Sequence, residues 1–335
     1  MSHTRDVWEL SKSDPLSCLF SGQQDLDEWM SACVEKVGQQ RIILHSAKKG
    51  GKSMKLKSLF QMMCVIIVSL MLVSPGWAGE HGHGHGHKKE VKKGILLVAF
   101  GSSYPQAQAS FENIEAEVTK NFPKVPVHWA YTSKIIRHKL AKEGQDLDSV
   151  AMALARMMDE GFTHVAVQSL HTIGGAEFHD LMSIVNGFEA MSGGFDKIRV
   201  GSPLLAASHD LKAVRDAMLE NIPDERKQDE AVILMGHGTH HPSNAFYQAM
   251  AYLFQHKDPN VFVGVVEGSP LLKDILPELK SKGIKKAWLM PFMSVAGDHV
   301  RNDMAGGEPA SWKSVLEKEG IETEAVLKGT AEFDN

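Results

Sequence analysis

Cysteine is scarce in this sequence and confined to its N-terminal part. The three cysteines of the 335-residue chain are Cys18, Cys33 and Cys64. The remainder of the chain therefore has no disulfide framework, CxxC redox motif, thiolate metal site or cysteine nucleophile. Any metal ion held beyond residue 64 must be bound by nitrogen and oxygen atoms.

Three other features are missing. The formal net charge of −5 provides no broad basic field, which argues against a nucleic-acid partner. The sequence contains no Walker-type phosphate loop, which argues against an ATP-driven reaction. It also lacks the Gly-x-Ser-x-Gly motif of serine hydrolases. The overall composition, 43% hydrophobic and 23% charged, is that of an ordinary globular protein.

Residues 54–78 have the pattern of a cleavable signal peptide. Lys55 and Lys57 precede a mostly apolar stretch over 59–73, and Gly76-Trp-Ala78 forms a small-x-small cleavage site. The alternative is a membrane anchor, but the apolar stretch is shorter than the roughly 20 residues that a spanning helix needs. We therefore expect export to the periplasm with no membrane span after cleavage. Residues 1–53 are then a non-native or over-extended N-terminus.

The segment that follows, residues 79–92, is a His-Gly leader. Alternating imidazoles of this kind bind divalent metal ions in solution, and we expect an auxiliary metal tract here. A flexible, solvated leader with incidental metal affinity is the alternative. The tract consists of His81, His83, His85 and His87.

Short apolar runs alternate with amphipathic stretches from Gly94 onward. This alternation predicts an α/β fold with parallel strands. The polar stretch 221–230 divides an N-terminal half, 93–226, from a C-terminal half, 227–335, which resembles it as in a diverged duplication. Two such halves leave a ligand cleft between them. The predicted strands are 95–100, 127–131, 164–170, 198–200, 231–235, 261–266, 287–292 and 323–327.

Three polar residues of the second half follow successive predicted strands. His237 and Glu267 come directly after two of them, and His299 follows a third by one loop. Because the carboxyl ends of parallel strands share one edge, these side chains are expected to converge. Two imidazoles and a carboxylate suit cobalt, iron, nickel or zinc better than magnesium or calcium. The alternative is that each is an ordinary strand-end residue bonded to the backbone.

Several longer motifs carry a family resemblance. Gly236-His-Gly-Thr239, Val263-Gly-Val-Val-Glu-Gly268 and the run Leu289–Met304, which contains Ala-Gly-Asp-His-Val-Arg-Asn-Asp-Met, are similar to the anaerobic cobalt chelatases of cobalamin synthesis. The similarity extends from about Lys93 to near Gly329. It implies the class II chelatase fold, two flavodoxin-like or Rossmann-like α/β domains with a tetrapyrrole cleft between them.

The resemblance also implies an activity, the insertion of Co²⁺ into sirohydrochlorin without ATP; related members handle Fe²⁺ or Ni²⁺. The family's metal-site residues correspond to His237, Glu267 and His299, which are the expected catalytic residues. Ser102, Ser103 and Thr132 are expected to contact substrate carboxylates. The alternative functions are a periplasmic haem or metal carrier that retains the chelatase fold and, with less support, a zinc hydrolase.

His179 is a further candidate outside the metal motif. It begins a predicted helix beside Phe178 and Met182, and an exposed imidazole of an exported tetrapyrrole protein can serve as an axial haem ligand. In a homo-oligomer, one His179 from each of two subunits can reach the same iron. A solvent-exposed helix histidine without a ligand is the alternative.

Overall fold

A computed structural model describes residues 90–333, and its first half is built on a parallel four-stranded sheet. The strands are β1 (Lys93–Ala99), β2 (Val127–Tyr131), β3 (His164–Ser169) and β4 (Lys197–Gly201), in the spatial order β2-β1-β3-β4. A short 3₁₀ helix spans Pro105–Ala107. The α-helices are α1 (Gln108–Asn121), α2 (Lys134–Lys142), α3 (Val150–Asp159), α4 (Ala176–Glu189) and α5 (Ser208–Glu220).

The second half repeats this arrangement. Its strands are β5 (Ala231–Gly238), β6 (Val261–Glu267), β7 (Lys286–Pro291) and β8 (Glu322–Ala325), in the order β6-β5-β7-β8. The α-helices are α6 (Ala245–Lys257), α7 (Leu272–Ser281) and α8 (Trp312–Lys318), with a 3₁₀ helix at Pro242–Asn244 and a π-helix at His299–Met304. The predicted fold of two parallel α/β domains is confirmed.

All eight predicted strands are present, with one difference that concerns the candidate site. The fifth strand was expected to end at Met235, but β5 continues through His237 to Gly238. His237 therefore lies within the sheet edge and not after it. The boundary between residues 226 and 227 stays a prediction. Segments 1–53 and 54–78 and the histidine tract lie outside the described residues.

The central strands are buried on both faces, because helices cover both sides of each sheet. Along β1, Ile95 and Leu97 belong to the hydrophobic cluster on one face, whereas Leu96 and Val98 belong to the cluster on the other. The second sheet is built in the same way around β5. This double burial explains why the strands read as continuous apolar runs instead of alternating patterns.

One hydrophobic cluster joins the two halves. Val214 and Met218 of α5 are packed in the same cluster as Val232 and Leu234 of β5. The helix that ends the first half therefore contributes to the core of the second. Since this cluster is buried and shared, separating the halves would expose apolar surface, which is unfavourable.

In each sheet the strand order reverses at one point, and the carboxyl ends of the strands at both points face the same cleft. In the order β2-β1-β3-β4 the chain leaves β1 and β3 in opposite directions, which opens a crevice at their carboxyl ends. The second sheet has the equivalent crevice between β5 and β7. The loops after these four strands supply the walls of the candidate site.

The chain after β8 returns to the first half. The wholly buried Ser110 hydroxyl donates to Glu332 Oε1 at 3.0 Å, and the Gly329 N–H donates to the same oxygen at 2.9 Å. The Asn113 side-chain amide donates to the Ala331 carbonyl at 3.2 Å. This segment is a second connection between the halves. Among the described helices, none is long and apolar enough to cross a membrane.

We predict that Glu332→Leu lowers the free energy of unfolding by about 1–3 kcal/mol, because it leaves the buried Ser110 hydroxyl without its acceptor. Glu332→Gln keeps a carbonyl oxygen at the same place and should change that free energy by no more than about 0.5 kcal/mol. Chemical denaturation of both variants measures the difference. Equal effects of the two substitutions would contradict the role of this hydrogen bond.

Candidate metal-handling site

A cleft of about 570 Å³ lies at the carboxyl ends of both sheets. Its walls combine apolar side chains with polar ones, and half of the lining residues are polar. The first half supplies Phe100, Ser102, Ser103, Tyr104, Ile135, Lys139 and His171, among others. The second half supplies His237, Glu267, Met293, Asp298 and His299, among others.

His237 and His299 meet at the wall of this cleft. Their ring centroids are 4.7 Å apart, and the rings are nearly perpendicular at 85°. His237 Nδ1 lies 3.0 Å from the Gly238 carbonyl oxygen, and His299 Nδ1 lies 2.5 Å from Asp303 Oδ2. A carbonyl or carboxylate oxygen only accepts, so each Nδ1 carries a proton. In the neutral form of either ring, the lone pair is then on Nε2, which is the form in which imidazole binds metal.

Glycine residues make the position of His237 possible. Gly238 has a φ of +76°, and a Cβ there would lie only 1.8 Å from the Glu267 carbonyl oxygen. A Cβ at Gly236 would lie 2.3 Å from the Tyr247 ring. Larger residues at either place would displace the backbone that carries His237.

Tyr247 is a buried lining residue of the cleft, and its ring lies next to Gly236. It is 2% exposed, and burial raises the pKa of its phenol to about 12, although the backbone groups of Gly238 and His237 lower it in part. The phenol therefore stays neutral over the physiological pH range. It can stabilise the end of β5 through hydrogen bonds without adding charge next to His237.

A π-helix positions the second histidine. His299 is the first residue of the π-helix and Asp303 its fifth, so the two side chains lie on one face and form the hydrogen bond described above. The wider π-turn is rare and is often found at functional sites. A carboxylate on Nδ1 fixes the ring orientation and increases the basicity of Nε2, as in carboxylate–histidine–metal arrangements.

Glu267 lines the same cleft but does not join the histidines in a compact ligand set. It is the last residue of β6 and is exposed, with its backbone paired to Gly238. Among residues 90–333, no three His, Cys, Asp or Glu side chains are grouped closely enough to hold a metal ion. Of the three residues expected to converge, the structure thus brings two together and leaves the third on the cleft wall. Their role as ligands stays a prediction.

Of the three residues expected to contact the substrate, two line the cleft and one does not. Ser102 and Ser103 line the cleft, and their hydroxyls accept from the Tyr104 N–H at 3.2 Å and from Lys139 Nζ at 2.9 Å. Thr132 is not among the lining residues of the described chain, and its hydroxyl lies 3.4 Å from His171 Nε2 instead.

His179 lies apart from the cleft residues. It is exposed in the first turns of α4, and its ring centroid is 4.9 Å from that of His241. His241 Nδ1 accepts from the Ser243 N–H at 3.1 Å, because this side chain caps the 3₁₀ helix at Pro242–Asn244. His179 is thus not among the lining residues of the cleft in the described chain.

Sequence reasoning missed Asp303 and Tyr104. His299 and Asp303 are four residues apart, a spacing that brings two side chains together on one face of a helix. It indicates their contact only if a helix is predicted over this segment. Tyr104 donates to Asp298 Oδ1 at 2.8 Å and so bridges the two halves at the rim of the cleft. That hydrogen bond to Asp298 also raises the pKa of Tyr104. No local pattern indicates a contact between residues so distant in the chain.

Comparisons with known proteins found relatives in sequence and in structure. SirB from Bacillus subtilis with Fe³⁺ is similar in structure with a TM-score of 0.46 and 18% identity, covering 72% of this chain and 92% of that one. The sirohydrochlorin cobaltochelatase CbiKC of Nitratidesulfovibrio vulgaris is 49% identical over 243 residues, 72% of this chain and 86% of the relative. The sirohydrochlorin cobaltochelatase of Salmonella typhimurium is 33% identical over 244 residues, 72% of this chain and 91% of the relative.

Residues 93–335 match the family described as cobalt chelatase (CbiK). Together with the two sequence relatives, this match shows that the chain belongs to the CbiK cobalt chelatase family.

We predict that Asp303→Ala raises the dissociation constant for Co²⁺ by about 10- to 100-fold, because His299 loses the carboxylate that orients it. Asp303→Asn keeps an acceptor oxygen but not the charge and should fall between wild type and Asp303→Ala. Isothermal titration calorimetry measures the constants. Glu308→Ala is the matched control, since Glu308 is an exposed carboxylate just beyond the π-helix. Unchanged Co²⁺ binding by Asp303→Ala would show that this hydrogen bond does not serve the metal.

Proposed function

We propose that the protein is a chelatase that inserts Co²⁺ into sirohydrochlorin without ATP. The observation that carries the proposal is the pair formed by His237 and His299, whose Nδ1 atoms are both hydrogen-bonded, which leaves Nε2 for a metal ion at the wall of a cleft of about 570 Å³. Membership of the cobalt chelatase family and two relatives named sirohydrochlorin cobaltochelatase support the same reaction.

The proposed reaction exchanges one Co²⁺ for the two protons of the pyrrole N–H groups. His237 and His299 hold the arriving ion, replacing part of its water shell, and Glu267 adds negative charge along the path into the cleft. An incomplete ligand set suits a metal ion that is a substrate and must be released to the tetrapyrrole, because a closed set of four ligands would retain the ion. Once the ion has moved to the pyrrole nitrogens, the Nε2 lone pair of each imidazole is free again, so the two rings can each accept one of the two released protons and pass it on to water.

A non-catalytic carrier of haem or metal is less well supported. A carrier needs a site that retains its ligand, whereas the described residues place two imidazoles and a separate carboxylate around an open cleft. Fe²⁺ and Ni²⁺ are plausible alternative metals on ligand chemistry alone, since imidazole and carboxylate bind several divalent ions of this row. Insertion assays with each ion in turn compare them.

We predict that His237→Ala and His299→Ala each reduce cobalt insertion by at least about 100-fold, because each removes one of the paired imidazoles that hold the ion. Glu267→Ala should weaken Co²⁺ capture and leave some turnover. An anaerobic assay that follows the absorption spectrum of sirohydrochlorin measures the rates. His240→Ala is the control, since His240 is exposed and is not among the lining residues of the described chain. Insertion at the wild-type rate by the double histidine variant would refute the assignment.

We further propose that the protein is exported to the periplasm and binds haem through His179 as a homo-oligomer. The signal-like segment 54–78 supports export. The exposure of His179, away from the cleft, supports an axial ligand role at a subunit interface. In this proposal the haem site and the chelatase site are separate.

We predict that protein recovered from the cell envelope begins at Gly79, is oligomeric and shows a haem Soret band. His179→Ala should remove the band and keep chelatase activity, whereas His237→Ala should do the reverse, because the two sites share no residue. Mass spectrometry, gel filtration and absorption spectroscopy provide the three measurements. Protein that retains residues 1–53 would contradict the proposed signal peptide. Protein that stays colourless after haem is added would contradict the proposed haem site.

A further inference from the structure

Lys139 occupies an unusual position in the cleft. Among the lining residues in the described part of the chain, it is the one lysine or arginine. It projects from the last turn of α2, and its ammonium group donates to the Ser103 hydroxyl at 2.9 Å. The same group lies 5.9 Å from the centroid of the Tyr104 ring.

Both of these partners are uncharged. Within residues 90–333, no carboxylate forms an ion pair with Lys139, and its recorded contacts are the hydroxyl and the aromatic ring. An ammonium group has three N–H donors, and the Ser103 hydroxyl takes one. The lysine therefore faces the cleft with its charge uncompensated and with donors to spare for an anion.

The acidic side chains among the lining residues are of the opposite charge type. They are Glu177, Glu267 and Asp298. Tyr104 and the Asn302 amide both donate to Asp298 Oδ1, which engages that oxygen but leaves the negative charge. These groups repel a ligand carboxylate, and among the lining residues Lys139 alone has a cationic side chain that attracts it. The Arg301 guanidinium is not a lining residue of the described chain, and it lies 5.7 Å from the centroid of the Tyr104 ring. The charges thus distinguish the lysine end of the cleft from the rest.

An apolar surface lies next to the lysine. Ile135 is one helical turn before Lys139 on the same face of α2 and is 80% exposed. Phe100 is 44% exposed, and its ring centroid is 6.2 Å from that of His237. Large apolar side chains left this open in a cleft are suited to the flat face of a macrocycle. This surface extends from the cation to the histidine pair.

We infer that Lys139 is a specificity-determining residue that binds a peripheral carboxylate of the tetrapyrrole, with the ring face against Phe100 and Ile135. The inference rests on the proposed function. Sirohydrochlorin has acetate and propionate groups around its ring, and one of them bound at Lys139 would anchor the ring in the cleft that also contains His237 and His299. A tetrapyrrole without a carboxylate at that position would lose a charge-assisted hydrogen bond.

The test compares Lys139→Met, Lys139→Arg and the control Lys142→Met. Methionine keeps an apolar stem and removes the charge, whereas arginine restores it. Lys142 is an exposed cation at the end of the same helix and is not among the lining residues of the described chain. The dissociation constant of metal-free sirohydrochlorin is measured by its fluorescence, and KM and kcat are measured with excess Co²⁺.

For Lys139→Met we expect the dissociation constant and KM to rise about tenfold or more, with kcat changed by less than about twofold. Lys139→Arg should recover most of the affinity, and Lys142→Met should behave like wild type. Raising the salt concentration should weaken binding by wild type more than binding by Lys139→Met. The last comparison separates a direct ion pair from a loss of packing.

Two results would overturn the inference. One is wild-type affinity of Lys139→Met for sirohydrochlorin. The other is an equal loss of that affinity in Lys139→Met and Lys142→Met, which would indicate a long-range effect of positive charge instead of a direct contact. Either result can occur while the wild-type enzyme inserts cobalt, and then the proposed function stands without this inference. A wild-type protein that binds sirohydrochlorin but inserts no cobalt would refute the proposed function, and the binding measurements would still test Lys139.

Discussion

The packing of α5 against the second half is the constraint on which the rest of the structure depends. Val214 and Met218 end the first half in sequence, yet they are buried in the same core as Val232 and Leu234. Because a close-packed interior resists sliding, the carboxyl ends of the two sheets are held on opposite sides of one cleft. The segment around Glu332 adds a polar connection on another side of the molecule. The cleft is therefore a preformed feature of the fold.

The chemistry of the cleft depends on how the two imidazoles are held. A backbone carbonyl orients His237 and a carboxylate orients His299, and both interactions use Nδ1. These different partners give the two rings the same tautomer but unequal electrostatic support. His299, next to Asp303, is the more electron-rich of the two. An asymmetric pair of this kind suits a metal that must arrive with water ligands and leave into a ring of nitrogens.

The two walls of the cleft carry different kinds of groups. The histidine pair and Glu267 come from the second half, whereas Phe100, Ile135 and Lys139 come from the first. Although the halves share one topology, the residues proposed to handle the metal ion thus come from one half, and those proposed to contact the macrocycle come from the other. A hydrogen bond between Tyr104 and Asp298 joins the walls at the rim.

Much of this protein could be predicted from its sequence. The eight strands, the repeated α/β halves and the position of Glu267 at the end of its strand follow from apolar runs and local motifs, because secondary structure responds to nearby residues. The family resemblance rests on similarly local runs such as Leu289–Met304. Those features depend on order along the chain and not on long-range packing.

Only the tertiary structure decided which of these residues meet. The sequence placed His237, Glu267 and His299 at one edge, but the described chain pairs the histidines and leaves Glu267 apart. The contact between Asp303 and His299 depends on the π-turn, and the contact between Lys139 and Ser103 joins residues 36 positions apart in the chain. Side-chain meetings of this kind depend on strand order, loop path and the packing between halves. Those are properties of the whole chain, which no short window of residues contains.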